Sequence, residues 1–453
     1  MQAEIEAIAE AEIASGRECG LQIVAFYQGQ KVIDCCAGHA APGVPVTPDT
    51  TFMAYSVTKG VSSVIIARAI ESQKGRVSYT DPISEHWPAF AVNGKAAITI
   101  ADGLSHRAGL RARSLCPLKV FWLMLRGRFR DCMELGIDWI AECSPSWSYT
   151  SPWARYHPTS WSYIAGGIFA GVATTQNLGC ATTELGQAGG LSHIREGAAE
   201  LARTINVDAA HLALGEISNG AALPARMVAP SMTALLADAW SRSGKILLPQ
   251  RGSLAWCVAL VARPLLTLLL GTLALFEALV WVMVGNHSWF VRLCLPSSNG
   301  CFTAHALGSV YGALANGGQL GTASGGTVVL GSKVTAELRR CAMDPSLDVP
   351  GWPAGGRQTC GFSPWLGRQV EDHIAGIQGA TGSGRRTARL PILGHTGMGG
   401  CCAYADLHSG LAIAVLKNVF SPELLNGGGP GRLCRLVDEC LRRQLGLGNK
   451  DLK

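Results

Sequence analysis

The sequence has no run of lysines and arginines of the nucleic-acid-binding kind, and its net charge of +6 is modest for 453 residues. A nucleic-acid partner is therefore excluded. Its sixteen cysteines are scattered and make neither the CxxC nor the HxxxH spacing that a metal site needs. No metal or cofactor is expected. There is no G-x-S-x-G elbow and no evident Ser-His-Asp pattern, which separates the chain from the α/β-hydrolases. No secretory leader is expected either, because Met1 runs straight into the polar, acidic stretch MQAEIEAIAEAEIASG. The cysteines are accordingly expected to be buried free thiols of an intracellular protein in a reducing compartment.

What is present begins with a 48% hydrophobic composition, enough to bury a substantial core. Residues 1–16 have helical composition, and Gly29 joins two strand-like runs, LQIVAFYQ and KVIDCCAG, in a hairpin. At the far end, LPILGHTGMGGCCAYADLHSGLAIAVLKN reads as two or three strands, with turns at Gly394 to Gly400 and at His408 to Gly410. Residues 430–445 read as a helix. The middle is mostly helical, so the expected class is α+β: an antiparallel sheet from both termini, flanked by helices, with an inserted mainly helical subdomain. Residues 1–445 are expected to form a single domain.

Two insertions stand out, at 107–150 and 251–293. From Arg107 to Arg130 the chain carries seven Lys/Arg and no acid around a central VFWLML, the composition of a segment on an anionic membrane surface. From Pro264 to Gly285, 22 residues carry one charge, Glu277, which is long enough to cross a bilayer. A single crossing would separate the two ends of the chain. The expectation is therefore a re-entrant or surface-lying hairpin over Leu254 to Val291, broken at Pro264 and Gly271, with a buried helix pair and a true span as alternatives. Membrane contact is expected through 107–130 and 254–291.

Ser56 and Lys59 sit three positions apart where an apolar helical run begins. A serine there can simply cap the helix. On a helix, however, residues i and i+3 share a face, so the Lys59 amine can reach the Ser56 hydroxyl. An amine kept neutral by burial can take that proton, and the helix N-terminus favours developing negative charge. His106, beside Ser105, reads as structural, in the loop after a short helix. Asp406 and His408 read as turn residues.

In this order, Ser56-Val57-Thr58-Lys59, Tyr156-His157-Pro158 and His395-Thr396-Gly397 resemble the serine β-lactamase, D-Ala-D-Ala peptidase and β-lactamase-like esterase superfamily, with S-x-x-K early, a tyrosine motif in the middle and K-T-G or H-T-G late. The resemblance covers most of the chain and implies the β-lactamase/transpeptidase-like fold. It implies that Ser56 attacks a carbonyl, that Lys59 and Tyr156 share the proton work, and that backbone N–H groups of Ser56 and Met398 bind the oxyanion. His395, Thr396 and Gly397 would line the substrate. Pro158 and His395 stand where the family has asparagine and lysine, which places the chain nearer the esterase and eukaryotic β-lactamase-like branch.

The resulting expectation is a metal-independent serine hydrolase, forming an acyl-enzyme on Ser56 and acting on a small ester or amide, including a lipid-like acyl substrate. An acyltransferase is chemically close. The alternative from another class is an inactive β-lactamase-like scaffold at a membrane.

Overall fold

The computed structural model describes residues 1–110, 122–123, 126, 128–146, 156–158, 160–174, 190–215, 224–247, 254–321, 325–344, 349–350, 357–358, 360–362, 392–421 and 431–447. Most of the basic stretch, including 111–121, lies outside the described residues. The chain opens with helix α1, Gln2–Ala14, and the hairpin β1, Gly20–Tyr27, and β2, Gln30–Ala41. Gln28 and Gly29 both have positive φ, 49° and 76°, which is the backbone that a two-residue hairpin turn needs. Short strands β3, Val44–Pro45, and β4, Phe52–Met53, lead to helix α2, Val57–Ser72.

Helices α3, Ile100–Leu104, α4, Ser160–Thr174, and α5, Gly190–Thr204, belong to the middle of the chain, followed by β5, Leu212–Leu214. Next come α6, Met232–Leu247, and α7, Leu254–Gly285. Strand β6, Gly300–Phe302, and helix α8, Ala304–Ala315, return the chain to the sheet. Strands β7, Ile392–Thr396, β8, Cys402–Asp406, and β9, Leu411–Lys417, precede the last helix α9, Arg432–Gln444.

The main sheet is antiparallel in the order β7-β8-β9-β1-β2-β3, so strands from the two termini meet at its centre, with Ile23 opposite Val415. This is the α+β architecture expected from the sequence. Both faces of the sheet are covered. Leu21, Ile23, Ala25, Ile413 and Val415 pack with Ile5, Ala9, Val437 and Leu441 of α1 and α9. Val24, Phe26, Ala412 and Ala414 face the helical body. Double coverage explains why β1 and β9 read as unbroken apolar runs rather than as alternating ones.

Helix α8 approaches the inner face closely, and a Cβ on Gly308 or Gly312 would lie 2.8 Å from Val24 or Phe26 atoms. A smaller sheet, β4-β6-β5, lies just ahead of α2 and pairs Phe52 with Phe302. It holds the chain that leads into Ser56.

Three expectations change. The C-terminal turn spans Gly397 to Gly400, because Gly394 lies inside β7, opposite Tyr404. Cys402 and Cys434 are joined in a disulfide, whereas eleven other described cysteines are thiols outside any disulfide. The two are 32 positions apart, and only the docking of α9 on the sheet brings them together. Finally, α7 runs unbroken through Pro264 and Gly271. Proline removes one N–H and disfavours the turn before it, yet the helix continues because it is packed along α6 through Leu235, Ala239 and Ala274. Gly271 is a close contact rather than a break: a Cβ there would meet Leu236 at 2.8 Å.

Phe302 is fully buried between β4 and β5. Truncation by Phe302→Ala should cost about 3–5 kcal/mol, read as a lower urea midpoint with an unchanged slope.

Candidate active site

The nucleophile candidate stands at the first turn of α2, and the residue before it is held in an uncommon conformation. Tyr55 has φ of 44°, a region that a bulky residue occupies only when its surroundings impose it. The Tyr55 hydroxyl, with one proton to donate, lies 3.2 Å from the Trp281 carbonyl and 3.4 Å from Met227 Sδ, which fixes the segment from the α7 side. Ser56 is the N-cap of α2, yet its side chain makes no capping bond. Its Oγ lies 3.2 Å from Lys59 Nζ and 3.0 Å from the Tyr156 hydroxyl. The simple capping role is thereby set aside.

Lys59 is wholly buried. Its Nζ donates to the Ser297 carbonyl at 3.0 Å and to the Pro158 carbonyl at 3.4 Å. Protonated, the amine has three N–H bonds for the two carbonyls and Ser56 Oγ; neutral, it has two N–H bonds for the carbonyls and a lone pair facing Ser56 Oγ. That arrangement can accept the hydroxyl proton. The third residue of the tyrosine motif thus takes part through its backbone, although Pro158 has no amide side chain. Lys59 Nζ also lies 4.9 Å from the Tyr156 ring centre and 5.8 Å from that of Trp161.

His106 was read as structural, and the structure places it directly behind Tyr156. It follows α3 with φ of 63°, is fully buried, and its ring centre lies 4.6 Å from that of Tyr156. The His157 backbone N–H donates to its Nδ1 at 3.0 Å. The neutral ring then carries its proton on Nε2. Burial first, then the nearby His157, Lys59 and His395, hold its pKa well below the ordinary histidine value.

His395 lies near the end of β7. Its Nδ1 is 2.6 Å from the Thr396 carbonyl oxygen, so the proton sits on Nδ1 and Nε2 is an acceptor. That Nε2 is buried with no hydrogen-bond partner among the described residues. Burial, reinforced by Lys59 in its protonated form and opposed by the Thr396 bond, pushes the His395 pKa down to about 3. The site therefore presents a neutral acceptor where a K-T-G strand presents a cation.

Gly397 explains itself by distance, since a Cβ there would lie 2.2 Å from the Ala54 carbonyl oxygen. Only glycine lets the end of β7 pass so close to the nucleophile segment. The turn that follows is pinned by Gly397 N–H to Cys401 O at 2.7 Å and by Ser421 N–H to Gly399 O at 3.0 Å. Behind it, buried Lys417 donates to Glu18 at 2.6 Å and to the Ser421 hydroxyl at 2.7 Å. Among the described residues no carbonyl accepts from the N–H of Ser56 or of Met398.

The structure thus brings Ser56, Lys59, Tyr156 and His395 together and sets Thr396 to Met398 at the strand end beside them. Sequence reasoning missed the Ser297 and Pro158 carbonyls, and it placed His106 as a structural residue without its contact to the tyrosine motif. Backbone acceptors carry no side-chain signature. His106 was legible only as the polar residue of LSHRAGL.

Comparison with known proteins follows the same outline. The Beta-lactamase family model matches residues 5–429. The esterase/beta-lactamase LipL of Mycobacterium tuberculosis is 26% identical over 423 residues, covering 90% of this chain and 79% of that protein. Among solved structures, a penicillin-binding protein homolog from Caulobacter crescentus aligns with a TM-score of 0.62 at 24% identity, covering 96% of each chain. A family VIII carboxylesterase aligns with a TM-score of 0.64 at 21% identity, covering 97% of each.

The histidines give a pH signature. Because the folded pKa of His395 is below the unfolded value near 6.5, the unfolded chain binds more protons as pH falls. Its stabilising effect is complete above about pH 6.5 and is lost as pH drops toward 3. In thermal scans from pH 7 to pH 4, Tm should fall less steeply for His395→Asn than for the wild type.

Proposed function

The chain belongs to the beta-lactamase family, and from that premise we propose that it is a serine hydrolase that opens esters through an acyl-enzyme on Ser56. The observation that carries this reading is the placement of Ser56 Oγ within hydrogen-bond distance of both Lys59 Nζ and the Tyr156 hydroxyl. Lys59 takes the Ser56 proton as Oγ bonds to the substrate carbonyl carbon. The carbonyl oxygen becomes an oxyanion held by the N–H groups of Ser56 and Met398. Collapse breaks the bond to the alcohol, which leaves with the proton passed back through Lys59 and Tyr156. Water, or a second alcohol in an acyltransfer, then attacks the acyl group by the reverse proton path and frees Ser56.

His395 sets the substrate preference. A neutral acceptor cannot neutralise a carboxylate, but it can receive a hydrogen bond. The preferred substrate is therefore an uncharged ester rather than an anionic β-lactam. The designation of the Mycobacterium tuberculosis relative, esterase/beta-lactamase, supports ester hydrolysis as such and does not decide against a β-lactam.

Labelling with a fluorophosphonate probe, followed by intact-mass measurement, tests the nucleophile. The wild type should gain one adduct, Ser56→Ala none, and Lys59→Ala should react about 100- to 10,000-fold more slowly. No adduct on a folded wild-type chain would sink the hydrolase reading and leave an inactive scaffold. Separately, His395→Lys should raise the ratio of kcat/KM for an anionic ester over its uncharged analogue roughly tenfold, as a new charge-assisted bond implies. An unchanged ratio would remove His395 from substrate selection.

A further inference from the structure

Helix α7 carries an apolar face that stands exposed among the described residues. Leu265, Leu269, Phe276, Leu279 and Met283 recur on one side at helical spacing, joined by Leu268 and Leu273, and all seven are between 50% and 70% exposed. The opposite side is buried through Thr267, Gly271, Ala274, Ala278 and Gly285, against α6 and the core. The helix is long and apolar enough to cross a membrane. Only one side of it is free.

We propose that this face of α7 lies on the surface of an anionic lipid bilayer. Charge favours that occupant. From Ala239 to Phe276 the sequence holds Arg242, Lys245, Arg251 and Arg263 and no Asp or Glu, the balance that attracts acidic headgroups. At this end the Arg263 guanidinium stacks 3.9 Å over the ring of Trp240, which is 47% exposed. An aromatic ring capped by an arginine suits the headgroup region, where one side is apolar and the other wet. A second such pair, exposed Trp122 with the Arg126 guanidinium 5.7 Å from its ring centre, lies in the other acid-free stretch.

A second copy of the chain fits less well. Close helix pairing uses small residues at the contact, and here Gly271, Ala274 and Ala278 point inward while Leu, Phe and Met point out. A span also fits less well, because α6 packs along α7 and exposes Asp238. That carboxylate belongs in water. At its C-terminal end α7 meets Tyr55 through the Trp281 carbonyl, so docking brings the membrane to the element that holds the residue before Ser56.

Flotation of the full chain with vesicles tests the proposal without using activity. The wild type should float with phosphatidylcholine vesicles that contain phosphatidylglycerol, float far less with phosphatidylcholine alone, and be released by alkaline carbonate. The variant Leu265→Ser/Leu269→Ser/Phe276→Ser/Met283→Ser changes only exposed positions and should lose at least tenfold in the floated fraction while keeping the wild-type Tm. Should that variant fail to fold, Phe276→Asp and Met283→Asp singly should each show a weaker loss. Equal flotation of wild type and folded variants would overturn the proposal. So would absence of wild-type flotation, carbonate-resistant association, which marks a span, or a dimer lost in the variants without any change in flotation.

Discussion

The site depends on one buried amine. Lys59 has no exposure to solvent, and burial of an ammonium is costly unless the group is paired or gives up its proton. Its Nζ is held by two carbonyls from distant parts of the chain, Ser297 ahead of β6 and Pro158 ahead of α4. The Ser56 hydroxyl lies on the same α2 turn. The small sheet fixes the entry to α2, and α4 brings the tyrosine motif over it. The strained Tyr55 and the missing Cβ of Gly397 are local consequences of forcing these segments into contact.

Beside that amine, two buried histidines are arranged to stay neutral. His106 gives its Nδ1 lone pair to the His157 backbone, and His395 gives its Nδ1 proton to the Thr396 carbonyl. Both rings are buried, and both are pushed away from protonation first by burial and further by Lys59 when it is protonated. A low-polarity setting of this kind strengthens every dipole aimed at developing charge. It also accounts for the tilt of the proposed chemistry toward uncharged substrates.

Much of this was legible in the residues. The strands at both ends announced themselves by apolar runs and turn signals, and the resemblance of S-x-x-K, the tyrosine motif and H-T-G to the β-lactamase-like superfamily marked Ser56, Lys59, Tyr156 and His395. What stayed hidden depends on contacts rather than composition. Pro264 and Gly271 looked like breaks because a proline and a glycine disfavour an isolated helix, but packing along α6 outweighs both. Cys402 and Cys434 looked free because nothing local foretells that α9 lies across β8. The carbonyls that hold Lys59 belong to the backbone, which every sequence has.

The central claim is that Ser56 carries the acyl group during turnover. Acid quench of the wild type during hydrolysis of p-nitrophenyl butyrate, followed by peptide mass spectrometry, addresses it most directly. The account predicts a butyryl group on the peptide containing Ser56, formed as fast as the first p-nitrophenol is released. Turnover with no such adduct, and undiminished in Ser56→Ala, would contradict it.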